Sequence, residues 1–196
     1  MSTFIEQSNI LKQEADWLIA KTGIRSTLAK HGEVTFTGSY FYGLMTWRDV
    51  DICLSTGEEQ MPVAAEIAKE IGKGNQVASI YIRNEHVLKT EGNPRAVFIC
   101  MEFLPSADEL WKVDVLLGTP QLVEDTIAPG RALVSKLTPS TREAILSIKF
   151  ELCKRPDYRQ SIKSTDIYQA VLDGGVGNIS EWEAWRMKNG KAQPAH

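Results

Sequence analysis

Cysteine and histidine are both scarce in this chain of 196 residues, with three of each. The cysteines, Cys53, Cys100 and Cys153, form an odd and widely spaced set in apolar surroundings. We therefore expect buried free thiols in a reducing compartment rather than disulfides. No group of histidines and cysteines has the spacing of a zinc site, so a metal centre built on these residues is not expected.

Basic charge is also in short supply, since 25 acidic residues outnumber 22 lysines and arginines and the formal net charge is -3. Proteins that grip long nucleic acid usually carry a basic surplus, so long nucleic acid is not the expected partner. No apolar run approaches the length of a membrane span, and the polar, acidic first residues do not resemble a secretory signal. The expectation is a cytoplasmic protein without a membrane partner.

The most informative segment has a Gly38-Ser39 pair at the end of one apolar strand and two aspartates, Asp49 and Asp51, at the start of the next. Side chains two residues apart on a strand point to the same face, so the two carboxylates are neighbours. Such a pair repels unless a cation lies between its members, and hard divalent ions such as magnesium prefer oxygen ligands. A helix that begins at Gly38-Ser39 would add an anion site through its free backbone amides.

A third carboxylate, Asp114, lies inside a later apolar strand, where an unpaired charge is costly to bury. It needs a hydrogen-bond partner, a cation or a metal. Glu102 in the preceding strand is the competing third carboxylate, but it is closer to a turn, and the apolar neighbours of Asp114 favour Asp114. Lys112 shares the face of Asp114 and could either neutralise phosphate charge or pair with the aspartates.

The hydrophobic pattern predicts an α/β (α+β) fold, with a small mixed β-sheet flanked by helices and followed by a C-terminal helical segment. The expected strands cover residues 33–37, 49–55, 76–83, 96–104 and 110–117. The expected helices cover residues 3–22, 39–46, 62–71, 139–154, 165–172 and 180–189. The predicted domains are a core at 1–120, a linker at 121–137 with Pro129-Gly130 in a loop or edge segment, a helical segment at 138–190 and a disordered tail at 191–196.

A glycine-serine turn, a further glycine, a strand with two aspartates and a later acidic strand follow one another in an order that resembles the nucleotidyltransferase superfamily of the DNA polymerase beta type. The matching residues are Gly38, Ser39, Gly43, Asp49, Asp51 and Asp114. The chain is most similar to small bacterial members such as the aminoglycoside and lincosamide nucleotidyltransferases, and residues 1–120 would be its catalytic core.

The resemblance implies magnesium-dependent transfer of a nucleoside monophosphate, AMP by default, from an NTP to an acceptor hydroxyl with release of pyrophosphate. Asp49, Asp51 and Asp114 would be the catalytic and metal-binding residues and would hold two Mg²⁺ ions. Asp114 could also accept the proton of the attacking hydroxyl as general base.

The residues expected to bind the nucleotide are Gly38, Ser39, Tyr40, Lys112 and Lys149. Ser39 and the amides after Gly38 would bind the β- and γ-phosphates, and Tyr40 could contact the nucleotide. Lys149, on the 139–154 helix, could reach the triphosphate or stay solvated. Arg48 departs from the family, which often has a small hydroxyl residue there; it should face away from the metals as a surface or ion-paired arginine unless the strand end is irregular.

A small-molecule acceptor is the first hypothesis, because a chain of this size leaves room for a pocket between core and helices but little for a template duplex. A protein acceptor, as in toxin–antitoxin modules with this fold, is the second. A nucleotide-binding regulator without turnover is the third. The preferred base and the oligomeric state stay open.

Overall fold

The structure is a computed structural model that describes residues 3–57, 59–106, 109–156, 158 and 161–191, so the predicted disordered tail lies outside the described residues from 192 onward. The strands are β1 (Glu33–Thr37), β2 (Asp49–Ser55), β3 (Val77–Asn84), β4 (Val97–Phe103) and β5 (Trp111–Gly118). The helices are α1 (Phe4–Thr22), α2 (Ile24–Leu28), α3 (Gly38–Tyr42), α4 (Gln60–Ile71), α5 (Glu85–Leu88), α6 (Pro120–Lys136), α7 (Pro139–Leu152), α8 (Ser164–Leu172) and α9 (Ile179–Lys188). Within the described ranges, no helix combines the length and the apolar character needed to cross a membrane.

The sheet has the strand order β1-β2-β5-β4-β3 and is mixed, which confirms the predicted fold class. β2 and β5 run parallel, whereas the other neighbouring strands are antiparallel, including the β4–β5 pair. The register of β2 and β5 sets Asp51 opposite Asp114 and Asp49 opposite Lys112. Two segments that are distant in sequence therefore bring their acidic residues to one place on the sheet.

The two faces of the sheet are covered differently. On one face, alternate strand residues such as Ile52 and Val115 are buried in the main core against α1, α2 and α4. The opposite face carries the aspartates, and α6 covers only part of it through Val123 and Ile127. Because side chains alternate along a strand, the apolar residues of β2 and β5 enter the core and their acidic residues face the open side.

The helices α7, α8 and α9 build a second core that is continuous with the turn after α3. Leu44 and Trp182 are fully buried in this second core, and Trp47 and Tyr42 pack against it from the side of the aspartates. The capping box at Thr138 and the proline at the first position of α7 explain where that helix begins. The C-terminal helices thus pack beside the acidic edge of β2.

The predicted loop at Pro129-Gly130, within the 121–137 linker, is wrong, because α6 runs through this region as one helix. Thr119 caps it by accepting a hydrogen bond from the amide of Leu122, and Pro120 occupies the first turn. Pro129 lies inside the helix. Gly130 is required by packing, since a Cβ there would lie 2.2 Å from the hydroxyl oxygen of Tyr42.

The predicted helix at 39–46 is shorter in the structure and ends at Tyr42. Gly43 adopts a left-handed conformation with φ of 65°, which terminates α3. The chain from 43 to 48 is irregular, and Leu44 and Met45 in it are fully buried.

Candidate active site

Three carboxylates meet where β2 and β5 run side by side. Asp49, Asp51 and Asp114 each offer an oxygen within 4.8 Å of the others. Asp49 is buried, whereas Asp51 and Asp114 are partly exposed. A cluster of this kind can hold a divalent cation, because its ligands are hard oxygens and the ion removes their mutual repulsion.

The partners of these carboxylates leave ligand atoms for a cation. Trp47 donates from Nε1 to Oδ2 of Asp49 at 3.2 Å, and Lys112 forms an ion pair with Oδ2 of Asp114. The other oxygen of Asp114, Oδ1, is buried and accepts no hydrogen bond from the described residues. A buried carboxylate oxygen without a donor is costly, so the donor set fits a bound divalent ion such as Mg²⁺.

Gly38 lies directly against this cluster. Its φ is +63°, and a Cβ at this position would lie 2.0 Å from Oδ2 of Asp51. Only glycine allows both the backbone conformation and the close approach. The first turn of α3, with Ser39, is therefore held beside the carboxylates.

Two cavities open on either side of the aspartates. The helix cavity, about 350 Å³, is lined by Gly38, Ser39, Asp49, Asp51, Lys163 and Ser164, among others. The sheet cavity, about 420 Å³, is lined by Gly38, Asp51, Tyr81, Arg83, Lys112 and Asp114, among others. Gly38, Tyr42 and Asp51 line both, so the two cavities meet at the carboxylate cluster.

Tyr40, which was predicted to contact the nucleotide, does not line either of these two cavities. Its hydroxyl donates to Oδ1 of Asp16 on α1 at 2.5 Å, and its ring packs against Phe36. Burial and the hydrogen bond to Asp16 raise the pKa of Tyr40. It lines a separate cavity beside α1 and α2 instead of the two that meet at the aspartates.

Lys149 is neither solvated nor part of either cavity lining. Its side chain is fully buried, and Nζ donates to the backbone oxygen of Leu44 at 2.6 Å and to the hydroxyl of Tyr168 at 3.3 Å. Nζ also lies 5.0 Å from the ring centre of Trp47. Burial lowers the pKa of Lys149 to about 7, although the nearby charges of Cys153, Asp51 and Asp49 act in the opposite direction. The lysine thus lies beneath the site and links α7 to the turn that carries Trp47.

Arg48 faces away from the carboxylate cluster, as predicted for a residue next to Asp49 on a strand. Its Nε donates to Glu14 of α1 at 3.1 Å and its Nη2 to Glu109 at 3.0 Å. The ion-paired alternative is therefore the one observed. Glu102, the competitor of Asp114, accepts a hydrogen bond from the hydroxyl of Ser79 at 2.7 Å and is not part of the cluster.

The sequence reasoning missed several residues of the two cavities. Lys163, Ser164 and Thr165 at the beginning of α8 line the helix cavity. Arg83 and Asn93 line the sheet cavity. The neighbouring hydroxyl residues Ser164 and Thr165 at the beginning of a helix could have indicated the residues of α8. No sequence motif indicates Arg83 or Asn93.

No protein-family model matches the sequence, and no curated protein is significantly similar to it. Solved structures do match. The Cid1 poly(U) polymerase with magnesium and 3'-dATP has a TM-score of 0.60 at 16% identity, over 86% of this chain and 54% of that chain. A cytoplasmic RNA terminal U-transferase has a TM-score of 0.56 at 15% identity, over 86% of this chain and 53% of that chain. The GLD-2/RNP-8 complex has a TM-score of 0.52 at 14% identity, over 98% of this chain and 74% of that chain.

The chain spans about half the length of the first of these structures. At such low identity the likeness establishes the fold and nothing finer. The more specific resemblance to small bacterial enzymes stays a prediction. The mixed sheet, its flanking helices and its structural neighbours agree, and the chain has the nucleotidyltransferase fold of the polymerase beta type.

Proposed function

We propose that this chain is a magnesium-dependent nucleotidyltransferase that moves a nucleoside monophosphate from an NTP to an acceptor hydroxyl and releases pyrophosphate. The observation that carries the proposal is the cluster of Asp49, Asp51 and Asp114 at the junction of two cavities. A transferase needs two substrates to meet at one point, and two cavities that share Gly38, Tyr42 and Asp51 provide such a point.

The helix cavity suits the triphosphate of the donor. The amino terminus of α8 and the first turn of α3 both border it, and helix amino termini carry free amides and a positive partial charge. Lys163 adds a full positive charge at the same border. Ser39 and Ser164 offer hydroxyl donors to phosphate oxygens.

Asp49, Asp51 and Asp114 would hold the metal. When bound, Mg²⁺ supplies charge stabilisation for the entering and leaving oxygens of an in-line displacement. Asp114, which also borders the sheet cavity, would accept the proton of the attacking hydroxyl. Trp47 orients Asp49 through its indole hydrogen bond, and Lys112 does the same for Asp114 before substrate binds.

A small-molecule acceptor is the proposal for the second substrate, because the sheet cavity has the volume of a small-ligand pocket. The donor nucleotide is ATP by default. A second candidate acceptor is an RNA 3' end, favoured by the likeness to a poly(U) polymerase and to an RNA terminal U-transferase. A protein acceptor or a regulator without turnover stays an alternative.

Calorimetric titration of each of the four NTPs, with and without magnesium, tests the donor site. We expect magnesium-dependent binding of at least one NTP. Absence of binding by all four would overturn the proposal. Tight binding of an NTP without labelling of small molecules, RNA or protein would identify a regulator instead.

Replacement of Asp51 by asparagine tests the carboxylate cluster. We expect Asp51→Asn to lower the transfer rate by roughly 100- to 1000-fold, because a ligand of the charge-stabilising ion is lost. The fold should stay intact, since one of three mutually repelling carboxylates is removed. Asp125→Asn, at an exposed position of α6, is the matched control and should retain full activity. Unchanged transfer in Asp51→Asn, measured with α-labelled NTP, would refute the assignment.

A further inference from the structure

The charged residues of the sheet cavity fall into two groups. Asp51 and Asp114 belong to the metal cluster. The other charged residues of its lining, among those that the structure describes, are Arg83 and Lys112, and both are cations. Once metal neutralises the carboxylates, these two side chains present cationic N–H donors to whatever enters the cavity.

Arg83 is held in place by a buried carboxylate. Glu85 is fully buried and accepts hydrogen bonds from Arg83 Nη2 at 2.6 Å, from Asn93 Nδ2 at 3.0 Å and from the amide of Thr90 at 3.0 Å. Burial acts to raise the pKa of Glu85, but the hydrogen bonds of Asn93 and Thr90 outweigh it and leave the pKa below its ordinary value. A buried, ionised glutamate thus fixes two residues of the cavity wall, Arg83 and Asn93.

The remaining donors of Arg83 are available to a ligand. Its side chain is 41% exposed, whereas that of Glu85 is 0% exposed and does not line the cavity. A guanidinium has five N–H donors in a rigid fork, and its contact with Glu85 uses only part of them. An arginine fixed in this way is preorganised to bind an oxyanion.

Part of the remaining wall is aromatic or apolar. Tyr81 is 51% exposed, and Phe98 and Leu116 line the same cavity. Aromatic and apolar side chains of this kind suit a ring rather than a hydrated flexible chain.

We propose that the sheet cavity is the acceptor site and that it selects a small hydroxylated ring compound carrying a phosphate or a carboxylate, which Arg83 binds. This inference rests on the proposed function and deepens it. The acceptor oxygen forms a new bond to the α-phosphorus of the NTP, and the bond from that phosphorus to the bridging oxygen of the β-phosphate breaks. Pyrophosphate leaves with the bonding electrons, and the acceptor proton passes to Asp114. An amino sugar, as in an aminoglycoside, would bring a cation to the N–H donors of Arg83 and has the wrong charge for this site.

A charge-sorted acceptor screen tests this proposal. A metabolite extract passed through a 3-kDa filter is divided by ion exchange into anionic, neutral and cationic fractions, and each is incubated with the full chain, magnesium and α-labelled NTP. A long RNA oligonucleotide is a fourth arm. We expect label to enter the anionic fraction. Pretreatment of that fraction with immobilised phosphatase, removed before NTP is added, distinguishes the two anions: loss of labelling indicates a phosphate, and retention a carboxylate.

Variants of the arginine separate the acceptor site from the donor site. Arg83→Ala should raise the KM for the anionic acceptor about 10- to 100-fold, as expected for loss of a charged hydrogen bond, and should leave NTP binding unchanged. Arg131→Ala, which removes an exposed arginine paired with Glu124 on α6, is the matched control and should behave as the unmodified chain.

Several results would overturn the acceptor proposal while leaving the proposed function in place. They are preferential labelling of the neutral or cationic fraction, labelling of the RNA alone, no small acceptor at all despite magnesium-dependent NTP binding, or an unchanged acceptor KM in Arg83→Ala. Failure of the unmodified chain to bind any NTP would overturn both proposals.

Discussion

At the scale of single residues, Gly38 carries the strictest steric requirement of the site. Gly38→Ala would place a Cβ 2.0 Å from Oδ2 of Asp51 and would force an L-residue into a left-handed conformation. We expect a destabilisation of at least about 1–2 kcal/mol from the backbone alone and a near-complete loss of transfer, because Asp51 must move. Urea unfolding and a labelled-NTP assay measure the two effects.

Two other glycine-to-alanine variants distinguish the effect of backbone strain from the effect of displacing Asp51. Gly175 has φ of +68° and no atom within 4 Å of a Cβ, so Gly175→Ala introduces the backbone strain alone. Gly57 has open space around a Cβ and no positive φ, so Gly57→Ala should be nearly silent. If Gly175→Ala lost as much activity as Gly38→Ala, the contact with Asp51 would not be the cause.

The positions of single side chains could be predicted where they depend on neighbouring residues of the same strand. Alternation along a strand was enough to set Asp49 and Asp51 on one face, and apolar neighbours were enough to favour Asp114 over Glu102. Tyr40 lies away from the two cavities because α3 rotates each successive side chain by about 100°. Ser39 and Tyr42 therefore border the helix cavity, while Tyr40 turns towards α1.

At the scale of elements, α7 is joined to the acidic edge of β2 by a buried lysine. Lys149 contacts Leu44 and Tyr168 and lies over the ring of Trp47, which itself binds Asp49. Neither the burial of this lysine nor its partners could be read from the sequence, since they depend on how α7 packs against α8 and the turn after α3. The sequence pattern gave only the apolar stripe of the helix.

The buried lysine predicts a pH dependence of stability. Its pKa falls from the ordinary 10.5 to about 7 on folding, so between these values the unfolded chain binds the additional proton. The contribution of Lys149 to stability should therefore rise from pH 7 to pH 9, by up to about 1.4 kcal/mol per pH unit, and should be lowest below pH 7. The measurement is the difference in unfolding free energy between the unmodified chain and Lys149→Met at several pH values.

The exposed lysine at the end of α9 provides the control for that pH series. Lys188→Met should differ from the unmodified chain by a constant amount across the series, because this side chain stays in solvent. A constant difference for Lys149→Met between pH 6 and pH 9 would contradict the proposed burial of a titrating lysine.

Helix α6 shows why the sequence predicts a loop where the structure has a helix. Pro129-Gly130 is ordinarily a strong turn signal, and proline inside a helix costs a hydrogen bond. Here Val123 and Ile127 bury against the sheet, and Gly130 fits against Tyr42. Tertiary packing outweighs the local preference, which no local pattern could reveal.

At the scale of the whole molecule, a metal ion bound by the carboxylate cluster would couple metal binding to folding. A cation that binds only the native chain stabilises it, and for a dissociation constant of about 1 mM, 10 mM magnesium would add about 1.4 kcal/mol. We therefore expect the melting temperature to rise with magnesium at constant ionic strength. Asp51→Asn should abolish most of the rise, and an equal rise in that variant would place the stabilising ion elsewhere.

The fold class and the β4–β5 hairpin followed from periodicity, but the strand order did not. The parallel pairing of β2 with β5 joins segments that are separated by α4, β3, α5 and β4. Nothing in the sequence of either strand indicates which strand it pairs with. The likeness to solved structures agrees with this topology over 86% of the chain. The choice of substrate is not determined by the fold, and we propose that it depends on side chains such as Arg83.

The pairing of β2 with β5 has a consequence for the newly synthesised chain. Asp49 and Asp51 leave the ribosome early, whereas Asp114 is made only after two intervening strands and two helices. Until β5 has emerged and closed that long loop, the nascent chain holds an incomplete ligand set. The carboxylate cluster is therefore complete only once the central strand of the sheet is in place, and we expect a truncated translation product that stops before β5 to lack the proposed transfer activity.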